Sequence, residues 1–130
     1  MMNPTRRYAQ AQTETASPER LMVLLFEAAL RHMRTGAAAL EAGRAAEANP
    51  VLARAIDIVA ELDATFDARH APHLAAPIGA VYQFVNQRLL AANAERDAAA
   101  AREAARAFRP LAEAFTEAVR QVQAGRAAVR

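Results

Sequence analysis

An all-helical chain is predicted from three features of the sequence. Apolar residues recur every three to four positions in four successive stretches, the period of a helix with a buried face. Residues suited to starting a helix stand ahead of three of them: Ser17 with Pro18, Asn49 with Pro50, and Asp97. Alanine, the strongest helix former, supplies 37 of the 130 residues, and all 16 basic residues are Arg. GC-rich coding accounts for that bias equally well, but its physical effect is to favour helix and to leave small side chains on helix faces.

Residues 1–14 are polar with one aromatic, Tyr8, and read as a mobile arm or a short helix lying on the body. The first long helix starts at Ser17, with Glu19 complementing the positive end of its dipole. Met22, Leu25, Ala29, Met33 and Leu40 form its apolar stripe, which Leu21, Leu24 and Ala28 widen, so burial on more than one side is expected. Gly36 and Gly43 weaken helical order, and AGRAAEANP reads as a frayed end and a connection. The second helix then starts at Asn49–Pro50 and buries Leu52, Ala55, Val59, Leu62 and Phe66, while Arg54, Asp57, Glu61 and Asp63 face solvent. From Ala68 to Pro77, two histidines and two prolines predict a central loop. A third helix is expected from about Ile78 to Ala92, burying Ile78, Val81, Tyr82, Val85, Leu89 and Ala92, with Phe84 on a neighbouring stripe and Asn93 near a turn. Asp97 caps the fourth, whose apolar positions are Ala101, Ala104, Phe108, Leu111, Phe115, Val119 and Val122. Pro110 inside it predicts a kink near Ala107–Pro110 or two abutting helices, and Gly125 with the Arg-bearing end marks a frayed tail over 124–130.

Composition excludes several kinds of chemistry. Without cysteine there is no disulfide and no thiol catalysis. The sequence pI is near 9.9, yet the formal charge is only +2 and Arg alternates with Glu and Asp, so nucleic-acid binding is not expected. There is no secretory h-region and no apolar run of membrane-spanning length, which makes the cytoplasm the expected location. His70 and His73 share a proline-containing loop with no carboxylate pattern, a poor metal site. No Glu-x-x-His, Gly-rich phosphate loop or nucleophile elbow occurs, and His32 lacks an evident carboxylate partner. No catalytic, metal or cofactor residue is nominated, and an enzyme is not expected.

One set of residues goes further. Tyr8, Thr15, Ala16, Ser17, Pro18, Glu19 and Leu21, followed by Leu25, Phe26, Glu27, Ala28, Ala29 and Leu30, resemble the opening signature of the flagellar export chaperone FliS family. Asn49, Arg54, Ala55, Glu61, Leu62, Val81, Tyr82, Phe84, Val85, Leu89, Ala92, Asn93 and Asp97 resemble its later succession in order and spacing. The chain departs from the family with Phe26 for Tyr, Phe115 for Trp, and a loop before Ile78 that lacks the usual Gly-rich turn and Asn-Leu pair.

The resemblance implies one domain over 1–130, an antiparallel up-and-down four-helix bundle with a short N-terminal arm or helix. It further implies a cytoplasmic, non-enzymatic chaperone that binds the disordered C-terminal region of newly made flagellin and keeps it from polymerising. The chaperone would present that client to the cytoplasmic domain of the flagellar type III export gate, with an anti-sigma factor or co-chaperone as a further partner. The expected oligomeric state is a monomer or weak homodimer. For client binding, Tyr8 is expected to anchor the arm over part of the surface. Leu24, Ile56, Ile58 and Phe84 are nominated as groove residues off the main stripes, and Asn93 as a polar contact. The competing expectation is a self-associating or regulatory bundle without a flagellin client.

Overall fold

The structure, a computed structural model, describes residues 17–66 and 72–129. They form four helices: α1 (Pro18–Glu41), α2 (Ala45–Thr65), α3 (Pro72–Glu95) and α4 (Ala98–Val129). Each packs against its sequence neighbours, and α4 closes the ring by packing against α1. At one end of the α1–α4 seam Arg102 Nε donates to Glu41 Oε1 at 2.7 Å, and at the other Arg126 donates to Glu19 Oε1 at 3.3 Å. The start of α4 therefore lies beside the end of α1, the arrangement of an up-and-down bundle. Residues 1–14, including the expected arm, lie outside the described residues.

The helix starts follow local chemistry. Ser17 Oγ accepts from the Arg20 N–H at 3.2 Å with Pro18 at the first helical position, and Asp97 Oδ1 accepts from the Ala100 N–H at 3.2 Å. Helix α1 ends in a Schellman turn: the N–H of Gly43 bonds Leu40 O at 3.0 Å and that of Arg44 bonds Ala39 O at 2.8 Å. Gly43 supplies the left-handed backbone this turn needs, at φ 75°.

Several expected boundaries are corrected. AGRAAEANP is not a long connection, because only Ala42–Arg44 separate α1 from α2, and Asn49 and Pro50 lie inside α2. Likewise α3 starts at Pro72 and runs through Pro77, so the second half of the expected loop is helical. Residues 67–71, with His70, lie outside the described residues. Helix α4 is continuous across Pro110 rather than split in two. Each of these prolines deprives the carbonyl four residues back of its partner, and in all three cases that carbonyl belongs to an exposed residue, Ala46, His73 or Arg106, where water can replace the bond. The expected frayed tail is helical to Val129, supported by Arg126 on Glu19 and by the alanines at 124, 127 and 128.

Burial also shifts the expected stripes. In α1 the buried positions are Val23, Phe26, Ala29, Met33, Gly36 and Ala37, so the stripe centres on Phe26, and Met22, Leu25 and Leu40 flank it. Gly36 is no weak point: a Cβ there would fall 2.7 Å from Leu52 Cγ, so its bareness is the slot into which Leu52 packs. Leu52, Ala55, Val59 and Leu62 of α2 are buried as expected, while Phe66 is half-buried at the helix end. Val122, expected inside, is exposed, because residues 121–128 of α4 find no cover from the other three helices.

Phe108 is the largest fully buried side chain, stacked on Phe26 at a centroid separation of 5.5 Å, and Phe26 stacks in turn on Phe115 at 5.0 Å. Burying a side chain of this size contributes about 1.5–3 kcal/mol. Ala29, Ala37, Ala48, Ala55, Ala92, Ala101 and Ala104 are fully buried, which lets the helix axes approach closely. No polar or charged residue is buried among the described residues.

Candidate functional site

Helix α3 differs from its neighbours in composition. Across its 24 residues, PHLAAPIGAVYQFVNQRLLAANAE, only Arg88 and Glu95 are formally charged. Of the four large apolar side chains exposed among the described residues, Leu74, Phe84 and Leu90 belong to α3 and only Val122 to α4. Since depletion of charge together with exposed apolar bulk characterises the centre of a protein interface, α3 is the surface on this bundle suited to a polypeptide partner.

The flanks of α3 can be assigned from its neighbours. Arg88 marks the side facing α4, where its guanidinium lies 3.0 Å from Glu103 and 3.9 Å from Asp97. Phe84, one turn earlier, shares that side. Tyr82 marks the side facing α2: burial pushes its hydroxyl up to about 12, with the charge of Asp63 adding to the effect. One turn on from Tyr82 lies Asn86, and a heptad beyond that Asn93; each has its Oδ1 shielded from water without a hydrogen-bond partner.

The nominated residues do not converge on one patch. Phe84 is exposed and Asn93 half-buried, but a spacing of nine residues puts them on opposite flanks of α3. Ile56 and Ile58 are both half-buried against the core. Ile56 lies a heptad before Asp63 and so faces α3, whereas Ile58 follows Arg54, whose charge reaches His32 on α1, by one turn. Leu24 is half-buried on α1, two residues from the core residue Phe26 and so on a different side of the helix. Tyr8 lies outside the described residues. Leu74, Asn86 and Leu90 were not nominated; the scarcity of charge between Pro72 and Glu95 was the available signal.

His32 gains no carboxylate. Partial burial, then the charges of Arg31 and Arg54, hold its imidazole below the ordinary 6.5. A group whose folded pKa is depressed contributes stability that is present above the unfolded value and is lost as pH falls through the folded one. The stability of the wild-type chain relative to His32→Gln is therefore expected to decline below about pH 6.5, measured by urea denaturation across that range. Among the described residues no three His, Cys, Asp or Glu side chains group to hold a metal ion, and no helix is long and apolar enough to cross a membrane.

A small helical bundle with one charge-poor helix that exposes large apolar side chains has the make-up of a protein-interaction module. The family model described as flagellar protein FliS matches residues 1–122. The flagellar secretion chaperone FliS of Bacillus subtilis (strain 168) is 32% identical over 97 residues, covering 75% of this chain and 71% of its own length. The flagellar secretion chaperone FliSB of Pseudomonas aeruginosa PAO1 is 28% identical over 100 residues, covering 74% and 79%. The chain belongs to the FliS family, a chaperone family and not an enzyme class.

Proposed function

We propose that this chain is a cytoplasmic export chaperone that binds the disordered C-terminal region of flagellin and delivers it to the flagellar type III export gate. The observation that carries the reading is the surface of α3, with two charged residues in 24 and with Leu74, Phe84 and Leu90 exposed. A filament subunit's terminal segment is apolar on one face because it packs in the filament core, and left uncovered it would associate early. Laying that face on α3 removes both apolar surfaces from water, the helix-in-groove mode of recognition. A client that orders on binding gives up several kcal/mol in doing so, which keeps the complex releasable at the gate.

Titration calorimetry against the C-terminal segment of the flagellin from the same organism tests this. The expected result is saturable one-to-one binding with a negative heat-capacity change and a gain of helicity in the mixture. Phe84→Asp is expected to weaken binding by roughly tenfold or more, with the circular dichroism of the free chaperone unchanged. A folded wild-type protein that does not bind the segment would overturn the reading.

A further inference from the structure

Along the chain the arginines alternate with acids, but the fold sorts the two unevenly. Glu41 of α1 and Arg102 of α4 meet across the α1–α4 seam at 2.7 Å. Arg34 lies seven residues before Glu41 and Arg109 seven residues after Arg102, so in this antiparallel pair the two arginines come level with each other on the same flanks. Arg31 and Arg106 are exposed one turn away from them on their own helices. Glu113 lies 3.5 Å from Arg109, whereas Arg31, Arg34 and Arg106 have no carboxylate within 4.0 Å among the described residues. Glu103, the other acid in this stretch of α4, is drawn to the opposite flank by Arg88 of α3. The seam from Arg31 to Glu41 and from Arg102 to Glu113 therefore sets five arginines against two glutamates, an excess greater than the +2 of the entire chain.

We propose that this outer α1–α4 seam docks an acidic segment of a protein partner. The charge selects an anion, and the surroundings select a polypeptide. A membrane surface or a single-stranded nucleic acid calls for apolar or aromatic side chains among the basic ones, to enter lipid or to stack on bases. The large apolar side chains exposed among the described residues are Leu74, Phe84 and Leu90 on α3 and Val122 near the end of α4, and none lies in the strip. Arginine's planar fork, by contrast, matches a carboxylate with two parallel bonds. The strip from Arg102 to Glu113 is about 16 Å long, so an extended segment with an acid at every second position lays about three carboxylates along it. Glu41, Ala98, Ala99, Arg102 and Arg106 line a shallow notch of about 350 Å³ at one end, with room for one of them. Because Glu41 already holds Arg102, it competes with that incoming carboxylate. Helices α1 and α3 stand diagonally in the ring, so on the client reading above the seam stays open while α3 is covered.

Fluorescence anisotropy of a short labelled peptide of alternating glutamate and serine, titrated with the full chain, tests the surface. The expected result is saturable binding that weakens as salt is added. Arg34→Glu with Arg106→Glu is expected to raise the dissociation constant by roughly tenfold or more. Arg20→Glu with Arg54→Glu, at exposed positions outside the strip, gives the same net charge and is expected to change it by less than roughly twofold. Glu41→Gln is expected to tighten binding, with the circular dichroism of all three variants that of the wild type. A wild type that does not bind, or an equal loss in the two double variants, would overturn the proposal, and weaker binding by Glu41→Gln would overturn the competition. Tighter binding of phosphatidylserine vesicles or duplex DNA through the same arginines would overturn the choice of a polypeptide. With the flagellin segment bound, the peptide affinity is expected to stay the same, and displacement of one by the other would overturn the separation of the two surfaces. A flagellin segment that fails to bind counts against the chaperone reading alone, since the peptide titration needs no client.

Discussion

Phe108→Ala will lower the unfolding free energy by about 3–5 kcal/mol, a large fraction of the roughly 5–15 kcal/mol that holds a domain folded. Phe108 is fully buried in α4, and its ring stacks on Phe26, which stacks on Phe115. Truncation removes the transfer free energy of the ring and strands Phe26 beside a void. The alanines around it are already as small as a side chain can be, so the helices have no longer neighbour to swing into the space. Urea denaturation of the variant should show a lower midpoint with an unchanged slope. Phe115→Ala, at a half-buried position, should cost less, and an equal cost at both sites would contradict this account of the core.

The second prediction concerns one substitution at two glycines. Alanine in place of glycine inside a helix normally gains about 1 kcal/mol. At Gly125, in the exposed end of α4 with open space around the new Cβ, that gain should be realised. At Gly36 the Cβ would press on Leu52 Cγ at 2.7 Å, and Leu52 is fully buried and cannot turn aside. Overpacking of this kind costs about 1–3 kcal/mol, so Gly36→Ala should destabilise on balance while Gly125→Ala stabilises. The comparison is made on thermal or urea midpoints, and a gain at both positions would show that Leu52 has room that the packing denies it.

These residues also show what was legible in the sequence. Ser17 with Pro18 and Asp97 were read correctly as helix starts because a cap acts over three residues and needs no tertiary partner. The periodic stripes of α2 and α4 were legible for the same reason up to Val119. Pro50 and Pro77 were misread as boundaries, since a proline one turn into a helix costs little when the carbonyl it frees faces water, and exposure is a property of the assembled bundle. Gly36 read as a flaw because its use depends on Leu52, sixteen positions away in another helix. The surface of α3 was half legible. Phe84 and Asn93 were nominated and lie on that helix, but which flank each occupies is decided by Arg88 meeting Glu103 and by Tyr82 lying near Asp63.

The order of packing around the bundle has a consequence for how the chain finds its fold. Three of the four seams join helices adjacent in sequence and separated by short connections, so each can form as a local hairpin with little chain to organise. The fourth, between α1 and α4, must close a loop containing the whole of α2 and α3, and that step carries most of the entropy of long-range ordering. Phe26 meeting Phe108 and Phe115 belongs to this seam, as do the Arg102–Glu41 and Arg126–Glu19 pairs at its two ends. An aromatic cluster in the middle and opposite charges at either end make the last joint of the ring a cooperative latch, one that secures the three hairpins only when the first helix and the last have found each other.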